Sequence, residues 1–435
     1  MTLNPSIINA VEKLGYRVTS GDVATQAGIE VNIAQRELLA LASEAGGHLQ
    51  VAESGEIAFA FPQNFKAILR NKYWQLKLKD GWEKIWKVLF YLIRISFGII
   101  LIVSILIILV AIVAILVVIN FSQDNDSSGG NDGGGFIPIG WLIPDWWWFV
   151  SWDNNSYQRY ENYNTDDKKQ MNFLEAVFSF MFGDGNPNYN LEERRWQTIG
   201  KVIRNQQGAI IAEQITPYLD EIGSSVAQEY EDYMLPILTR FDGRPEVSPD
   251  GQLIYHFPEL QTTAQQSEPQ LITTYLKERK WRFSLATSGQ ILGAIGLGSV
   301  NLIGALMLGS LLKTPGIAGY LTGFLGFVQF IYPILLIYGI GFLTIPLIRY
   351  FWIQGKNNKI NERNTMRQNR ANILAQGGSL LKKKLNYARQ FAKKMVISQD
   401  NLAYTTETDL LEQEIQNSDQ IDAEWQKRLD QSESS

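Results

Sequence analysis

The sequence predicts an α-helical integral membrane protein that carries two small α+β soluble modules and a helical, charged C-terminal tail. Three observations lead there. Long uncharged runs alternate with charge-crowded stretches, although charged residues average 19% of the 435-residue chain; such segregation is expected of membrane spans between soluble domains. A segment beginning at Gly47 recurs without gaps from Gly243. Lysine and arginine crowd particular ends of the uncharged runs, which orients them.

Residues 1–66 form the first expected module. The start, MTLNPSIINAVEKLGYR, lacks the basic opening, apolar core and small-residue cleavage site of a signal peptide, so the first span is expected to be an uncleaved anchor. Helical patterns run over Ile7–Leu14, Thr19–Ala27 and Asn32–Glu44, with Ser20-Gly21-Asp22 marking a helix start. Apolar alternation about the turn glycine Gly55 then predicts a β-hairpin over Gly47–Pro62.

Residues 67–94 read as a basic amphipathic juxtamembrane helix. Arg70, Lys72, Lys77, Lys79, Lys84, Lys87 and Arg94 face only Asp80 and Glu83, and Trp74, Leu78, Trp82, Ile85 and Leu89 share a face suited to the membrane surface. The uncharged run 95–119 follows, about 37 Å long as a helix and enough to cross a bilayer. Beyond it the Gly/Asp-rich loop 120–135 carries Asp124, Asp126 and Asp132 and no cation, which places the N-terminus in the cytoplasm and this loop outside.

The Trp-rich segment 136–152 is short and contains Pro138 and Pro144. It is expected to recross the bilayer irregularly, because the later basic flanks require a return; the alternative is an aromatic slab on the outer interface, with the following domain outside. Residues 153–190 read as a linker that ends in the turn motif Phe182-Gly183-Asp184-Gly185-Asn186-Pro187.

The second module is expected over 191–262, with helices at Glu192–Asn205, Ile210–Leu219 and Ser224–Phe241 before the hairpin Gly243–Pro258. Val51, Gly55, Ile57, Phe59 and Phe61 align with Val247, Gly251, Leu253, Tyr255 and Phe257. After a linker, 263–282, come spans at 283–312 and 316–352, the latter expected to break at Pro333. Basic flanks place both outer ends in the cytoplasm, and Gly289/Gly293, Ala305/Gly309 and Gly319/Gly323 have the spacing that allows close helix approach or self-association in lipid. The tail, 353–435, is basic and then acidic. Ile360, Leu374, Leu381, Ala388 and Met395 recur every seven residues, interrupted by Arg367, which suits a coiled coil, a helix packed on another domain, or a solvated helix drawn to anionic lipid.

Three helices followed by a hairpin resemble the winged-helix domain, and that resemblance implies DNA as a partner. Charge argues otherwise. Up to Pro62, Lys13, Arg17 and Arg36 face seven acids, and Leu191–Leu260 holds twelve acids against six bases, with Glu229, Glu231 and Asp232 on the candidate recognition helix. Such modules repel phosphate, so protein partners are expected and nucleic acid is not.

The chemistry of known sites is absent from the pattern. Without cysteine there are no disulfides, thiolate metal sites or cysteine nucleophiles. The loop opening Asp124-Asn125-Asp126 resembles a calcium loop but has Gly135 where a bidentate glutamate is needed. Gly296-Leu297-Gly298 lacks the last glycine of a dinucleotide fingerprint, and Gly309 and Lys313 lack phosphate-loop spacing. The two histidines, His48 and His256, stand in separate hairpins. No catalytic, cofactor-binding or metal residues are assigned.

The segments GGHLQVAESGEIAFAFP, FSFMFGDGNPN and DGRPEVSPDGQLIYHFPEL, with the basic tryptophan-containing approach, resemble an uncharacterised membrane-protein family of cyanobacteria and plant plastids. The resemblance implies a thylakoid, plasma or plastid-envelope membrane with the modules facing cytoplasm or stroma. The expectation is a non-enzymatic membrane scaffold or assembly factor, with a membrane-tethered DNA-binding regulator and a transporter or channel subunit as alternatives.

Overall fold

The structure, a computed structural model, describes residues 4–72, 74–123, 171–223, 229–266, 268–314, 317–320, 322–398, 401–413 and scattered positions to 426. The loop beyond Gln123 and the expected crossing at 136–152 lie outside the described residues. Two compact units form: residues 1–80, 188–280 and 359–435 make the first, and 81–187 with 281–358 the second.

The first unit opens with α1 (Pro5–Lys13), whose start is capped by Asn4. Strand β1 (Arg17–Thr19) leads into α2 (Ser20–Ala27), where Thr19 and Asp22 form a reciprocal capping box. Helix α3 (Val31–Ala45) precedes the hairpin β2 (His48–Ala52) and β3 (Ile57–Ala60). The sheet order is β1-β3-β2, with Val18 opposite Phe59 and Val51 opposite Ile57.

Helix α4 (Phe65–Lys72) and α5 (Trp74–Gln123) follow. The basic approach and the first apolar run were expected as two bodies, a surface helix and a span. They form a single 50-residue helix, α5, about 75 Å long. No proline interrupts it, and its lysines, leucines and isoleucines all accept helical geometry.

Helix α6 (Phe173–Phe182) belongs to the second unit, and α7 (Leu191–Asn205) begins the second module. Strand β4 (Ala209–Ile210), helix α8 (Leu235–Phe241), β5 (Arg244–Val247) and β6 (Leu253–His256) complete it. Its sheet order is β4-β6-β5, with Ile210 opposite Tyr255 and Val247 opposite Leu253. Both hairpins turn on a left-handed glycine, Gly55 at φ 85° and Gly251 at φ 76°. Both strands exit alike: Phe61 N–H donates to the Tyr16 carbonyl and Phe257 N–H to the Gly208 carbonyl, each at 2.8 Å.

Two expected helices of this module are corrected. Ile210–Leu219 becomes β4 and two 3-10 turns, Ala212–Gln214 and Thr216–Tyr218, because Pro217 lacks the N–H that an α-helix would use. Among the described residues of Ser224–Phe241, Glu229, a 3-10 turn (Asp232–Met234) and α8 are helical; Glu231, left-handed at φ 53°, interrupts the run.

Helix α9 (Pro258–Gln261) and β7 (Thr262–Thr263) lead out of the module. The apolar core is continuous between modules, with Val18, Leu38 and Phe59 in one cluster with Ile199, Phe241 and Phe257.

In the second unit, α10 (Ser288–Leu311) is started by a capping box between Thr287 and Gln290. Helix α11 (Gly323–Gln376) runs unbroken through Pro333 and Pro346, which corrects the expected break. Apolar helices tolerate proline where neighbours re-satisfy the freed carbonyl. Residues 153–190, expected as linker, contain α6, whose Val177, Phe180 and Met181 cluster with Leu101, Ala294 and Phe342. Close approach falls at Gly298 against Phe342, Gly304 against Ile108 and Gly309 against Tyr332; Gly289, Gly319 and Gly323 face open space.

The tail was expected to be helical, yet between α12 (Ser379–Ala388) and the helical positions from Leu410 onward it contributes strands β8 (Met395–Val396) and β9 (Leu402–Thr405). Strand β8 pairs with β7 in parallel, and β9 pairs with β2 antiparallel. The exposed edge of β2 presents unpaired backbone groups that β9 satisfies. The seven-residue spacing therefore falls on three separate elements, α11, α12 and β8, divided by Gly377-Gly378.

Candidate functional site

Charged side chains enter the interior of the first unit along three seams, two of which join the tail to the second module and the segment that follows it. Arg367 on α11 is 1% exposed. Its guanidinium donates to the Leu276 carbonyl at 2.9 Å and to Glu278 Oε1 at 2.8 Å, and it pairs with Asp220. Arg363, one turn earlier, grips both Glu278 oxygens at 2.7 and 2.6 Å, the bidentate geometry that suits a carboxylate. Asn364 brackets the Glu278 backbone, accepting its N–H at 2.9 Å and donating to its carbonyl at 3.0 Å. Arg195 supplies a second cation to Asp220, and Arg370 donates to the Leu219 carbonyl at 2.9 Å.

Burial disfavours the charged form of both carboxylates, but the guanidinium groups outweigh it. Arg367 and Arg195 hold Asp220 below the ordinary aspartate range, and Arg363 and Arg367 hold Glu278 below that of glutamate.

A second seam lies along α12. Lys384, 3% exposed, bonds Glu231 at 2.6 Å and the two Glu213 oxygens at 3.0 and 3.1 Å. Tyr255 donates to the other Glu231 oxygen at 2.7 Å; burial and that carboxylate push the phenol pKa upward. Ala388 buries beside Ile211 and Ile254, so apolar packing and ion pairing act together. Glu213 and Glu231, counted above among the acids that repel phosphate, share the single Lys384 ammonium from within the chain.

The third seam joins the modules. Asp22 pairs with Arg204 of α7 and accepts from the Thr19 and Ala264 amides at 2.9 and 3.0 Å. Arg17 donates to the Ala264 and Ile397 carbonyls, both at 2.7 Å, tying β1 to the tail. Arg240 donates to the Gly28 carbonyl at 2.6 Å and stacks 4.1 Å from the Trp196 ring.

In the second unit, Asp184 of the turn motif is more than a turn residue. It pairs with Arg94 at 2.7 Å and accepts from Ser179 Oγ at 2.6 Å and the Leu285 amide at 2.8 Å. A polar pair, Asn301 and Ser104, hydrogen-bonds between α10 and α5 while almost wholly buried.

Of the residues singled out in the sequence, His48 faces the Thr406 carbonyl at 3.2 Å and His256 faces Glu246 at 3.5 Å, with no partner in common. Lys313 is exposed, and Gly296 and Gly298 lie inside α10. Among the described residues no group of three His, Asp or Glu side chains is placed to hold a metal. Sequence reasoning passed over Asp220, Glu278, Glu213 and Lys384; Arg367 left a trace, as the charge interrupting an apolar heptad.

These features define a mostly helical protein with small antiparallel sheets and three helices long and apolar enough to cross a membrane: Lys84–Ile119 within α5, α10 and α11. The chain is similar to the uncharacterized chloroplastic protein At5g03900 of Arabidopsis thaliana, 38% identical over 444 residues that cover 98% of this chain and 82% of the relative. It belongs to that protein's family. No family model and no solved structure matches the chain.

Proposed function

We propose that the protein is a membrane-anchored scaffold or assembly factor whose soluble body recruits other proteins. Its body is built from three chain segments separated by apolar helices, and its tail is engaged by both modules. In this reading the two modules are winged-helix-like copies; the shared strand order and register support that relation.

The observation that carries the proposal is the outer face of α3, the helix in the recognition position. Asn32, Gln35, Arg36, Leu39 and Ser43 are exposed there, with Leu39 the apolar residue at the centre. One cation suits a protein surface, whereas a phosphate backbone demands several. The plant relative's chloroplast address agrees with a plastid or cyanobacterial membrane.

The membrane reading has a topological consequence. Strand β9, after α11, pairs with β2, before α5, so both lie on one side of the bilayer. Module 2 belongs to the same unit, so in this reading it lies on that side as well.

A photo-crosslinking residue at Leu39, used in intact membranes, tests the function. The expected result is one reproducible protein adduct, lost when the crosslinker is moved to buried Leu38. Absence of any protein adduct, together with salt-dependent binding of duplex DNA by the full chain, overturns the proposal for the DNA-binding alternative.

A further inference from the structure

Helix α5 of the second unit carries two rows of residues at the same seven-residue interval. Arg94, Leu101, Ile108 and Ile115 form the inner row. The last three are at most 3% exposed and pack with α6, α10 and α11, while Arg94 pairs with Asp184 at 2.7 Å. With that row at position f of a heptad, Ile99, Val103, Leu106, Val110 and Val117 fall at a and d, on the opposite side. Each of these five is between 43% and 50% exposed, and Val113 in the same row is half-buried. The outer row continues toward the N-terminus through Trp82, Ile85, Leu89 and Leu92, between 43% and 66% exposed.

Lipid accounts for only part of the outer row. The apolar section of α5, Lys84–Ile119, has 36 residues and is about 54 Å long as a helix, whereas a bilayer with its headgroups is about 40–45 Å thick. The Arg94–Asp184 pair marks where the excess begins, since such charges belong at the aqueous boundary. Trp82, Ile85, Leu89 and Leu92 lie on its N-terminal side, and an apolar patch of that kind in water calls for a protein cover. Charge selects the cover. From Gly81 to Ile119 no a, d, e or g position is charged; Lys84 falls at c, Lys87 and Arg94 at f. An acidic partner would find no cation along the row, and a second copy meets no like charge. The polar a residue, Ser96, donates to the Ile93 carbonyl at 2.8 Å, so closing the row strands no hydroxyl.

We propose that α5 pairs with α5 of a second copy, parallel and in register, from Trp82 to Val117. Two copies share one orientation in a bilayer, which makes the pair parallel, and valine at a with leucine at d, as at Val103 and Leu106, suits two strands. The a, d, e and g positions supply about twenty residues to a side, the lower end of a standard stable interface. The pairing rests on the membrane reading and requires nothing of α3.

Single cysteines in the full chain, oxidised with copper phenanthroline in intact membranes, test it, because the chain has no cysteine of its own. Ile85→Cys, Leu92→Cys and Leu106→Cys are expected to give disulfide-linked dimers, since d positions of parallel copies face each other. Lys84→Cys and Tyr91→Cys, also exposed but at position c, are expected to give none. In detergent, Leu89→Lys should weaken dimerisation about a hundredfold, because each copy then sets an ammonium against the same charge on the other. Leu89 is exposed within one copy, so that copy keeps its fold, and Lys84→Leu, off the row, leaves the affinity unchanged. Dimers at c and d positions alike report random collision and overturn the pairing. A membrane-embedded chain that gives no dimers assigns the row to lipid and overturns it too. A chain released from the membrane by alkaline carbonate overturns the membrane reading, and the pairing with it.

Discussion

Arg367 is ion-paired with Asp220, a residue 147 positions earlier in the chain, and the same guanidinium holds Glu278. The helix that carries Arg367 begins as one of the three apolar helices, so a single element serves both as a membrane-span candidate and as a pin of the first unit. The two partners of Arg367 differ in weight. Asp220 is 39% exposed and screened by water, whereas Glu278 is 4% exposed and depends on its cations.

Replacing the cation should therefore cost mainly through Glu278. Arg367→Met leaves that carboxylate buried with Arg363 alone, and breaking such a pair costs about 3 kcal/mol or more. The expected outcome is a lowered unfolding midpoint of the solubilised chain in urea. Arg367→Met combined with Glu278→Gln should recover part of the loss, because no buried charge is then left short of a partner.

Acid should loosen the same seam. Both Asp220 and Glu278 titrate below their ordinary ranges in the folded state, so the folded form binds fewer protons than the unfolded form at mildly acidic pH. Their contribution is complete above the unfolded carboxylate values of about 4 and declines as pH falls through the lowered folded values. Unfolding midpoints followed from neutral pH downward should stay level and then drop. In Asp220→Asn/Glu278→Gln, midpoints at neutral pH should be lower and the acid slope shallower.

The parts of the fold that were legible in the sequence are those dictated by local chemistry. The hairpins at Gly47–Pro62 and Gly243–Pro258 announce themselves by apolar alternation and by Gly55 and Gly251 at left-handed turns. Helix α7 was placed within a residue of its start because Glu192, Arg195, Ile199 and Ile203 carry its amphipathic period. The ion-pair seams were not legible, since Lys384 meets Glu231 across 153 positions and no local pattern records such a pairing. The same holds for β9, whose short run Leu402–Thr405 reads as a strand only beside the edge of β2. Pro333 misled because its usual effect on a helix in water is outweighed where an apolar environment forces the backbone to satisfy its own hydrogen bonds.

Removing the chain from Asn401 onward should uncover the β2 edge. Leu49 N–H donates to Thr406 Oγ1 at 2.9 Å and Glu53 N–H to the Asn401 carbonyl at 3.0 Å, and both acceptors disappear in the truncated chain. Hydrogen exchange at Leu49 and Glu53 is expected to accelerate, while Phe59 on the interior strand β3 keeps its protection. A bare edge also invites pairing between copies, so the truncated chain should aggregate at concentrations where the full chain does not. The equivalent edge on module 2 carries Pro245, in register with Leu49, and a proline supplies no amide there to bind a strand.

The absence of native cysteine makes the topology directly testable. Single cysteines at Ser43 in α3, Tyr230 in module 2 and Glu407 beyond β9 fall at exposed positions of the first unit. If that unit lies on one side of the bilayer, a membrane-impermeant maleimide labels all three in vesicles of one orientation and none in the inverted vesicles. Lys313→Cys, between α10 and α11, should show the opposite preference if those two helices cross and return, as their length and apolar composition allow. Labelling of Tyr230→Cys from the side opposite to Ser43→Cys would separate the modules across the membrane. That outcome is incompatible with the Asp22–Arg204 pair and the shared core, since neither can form through a bilayer.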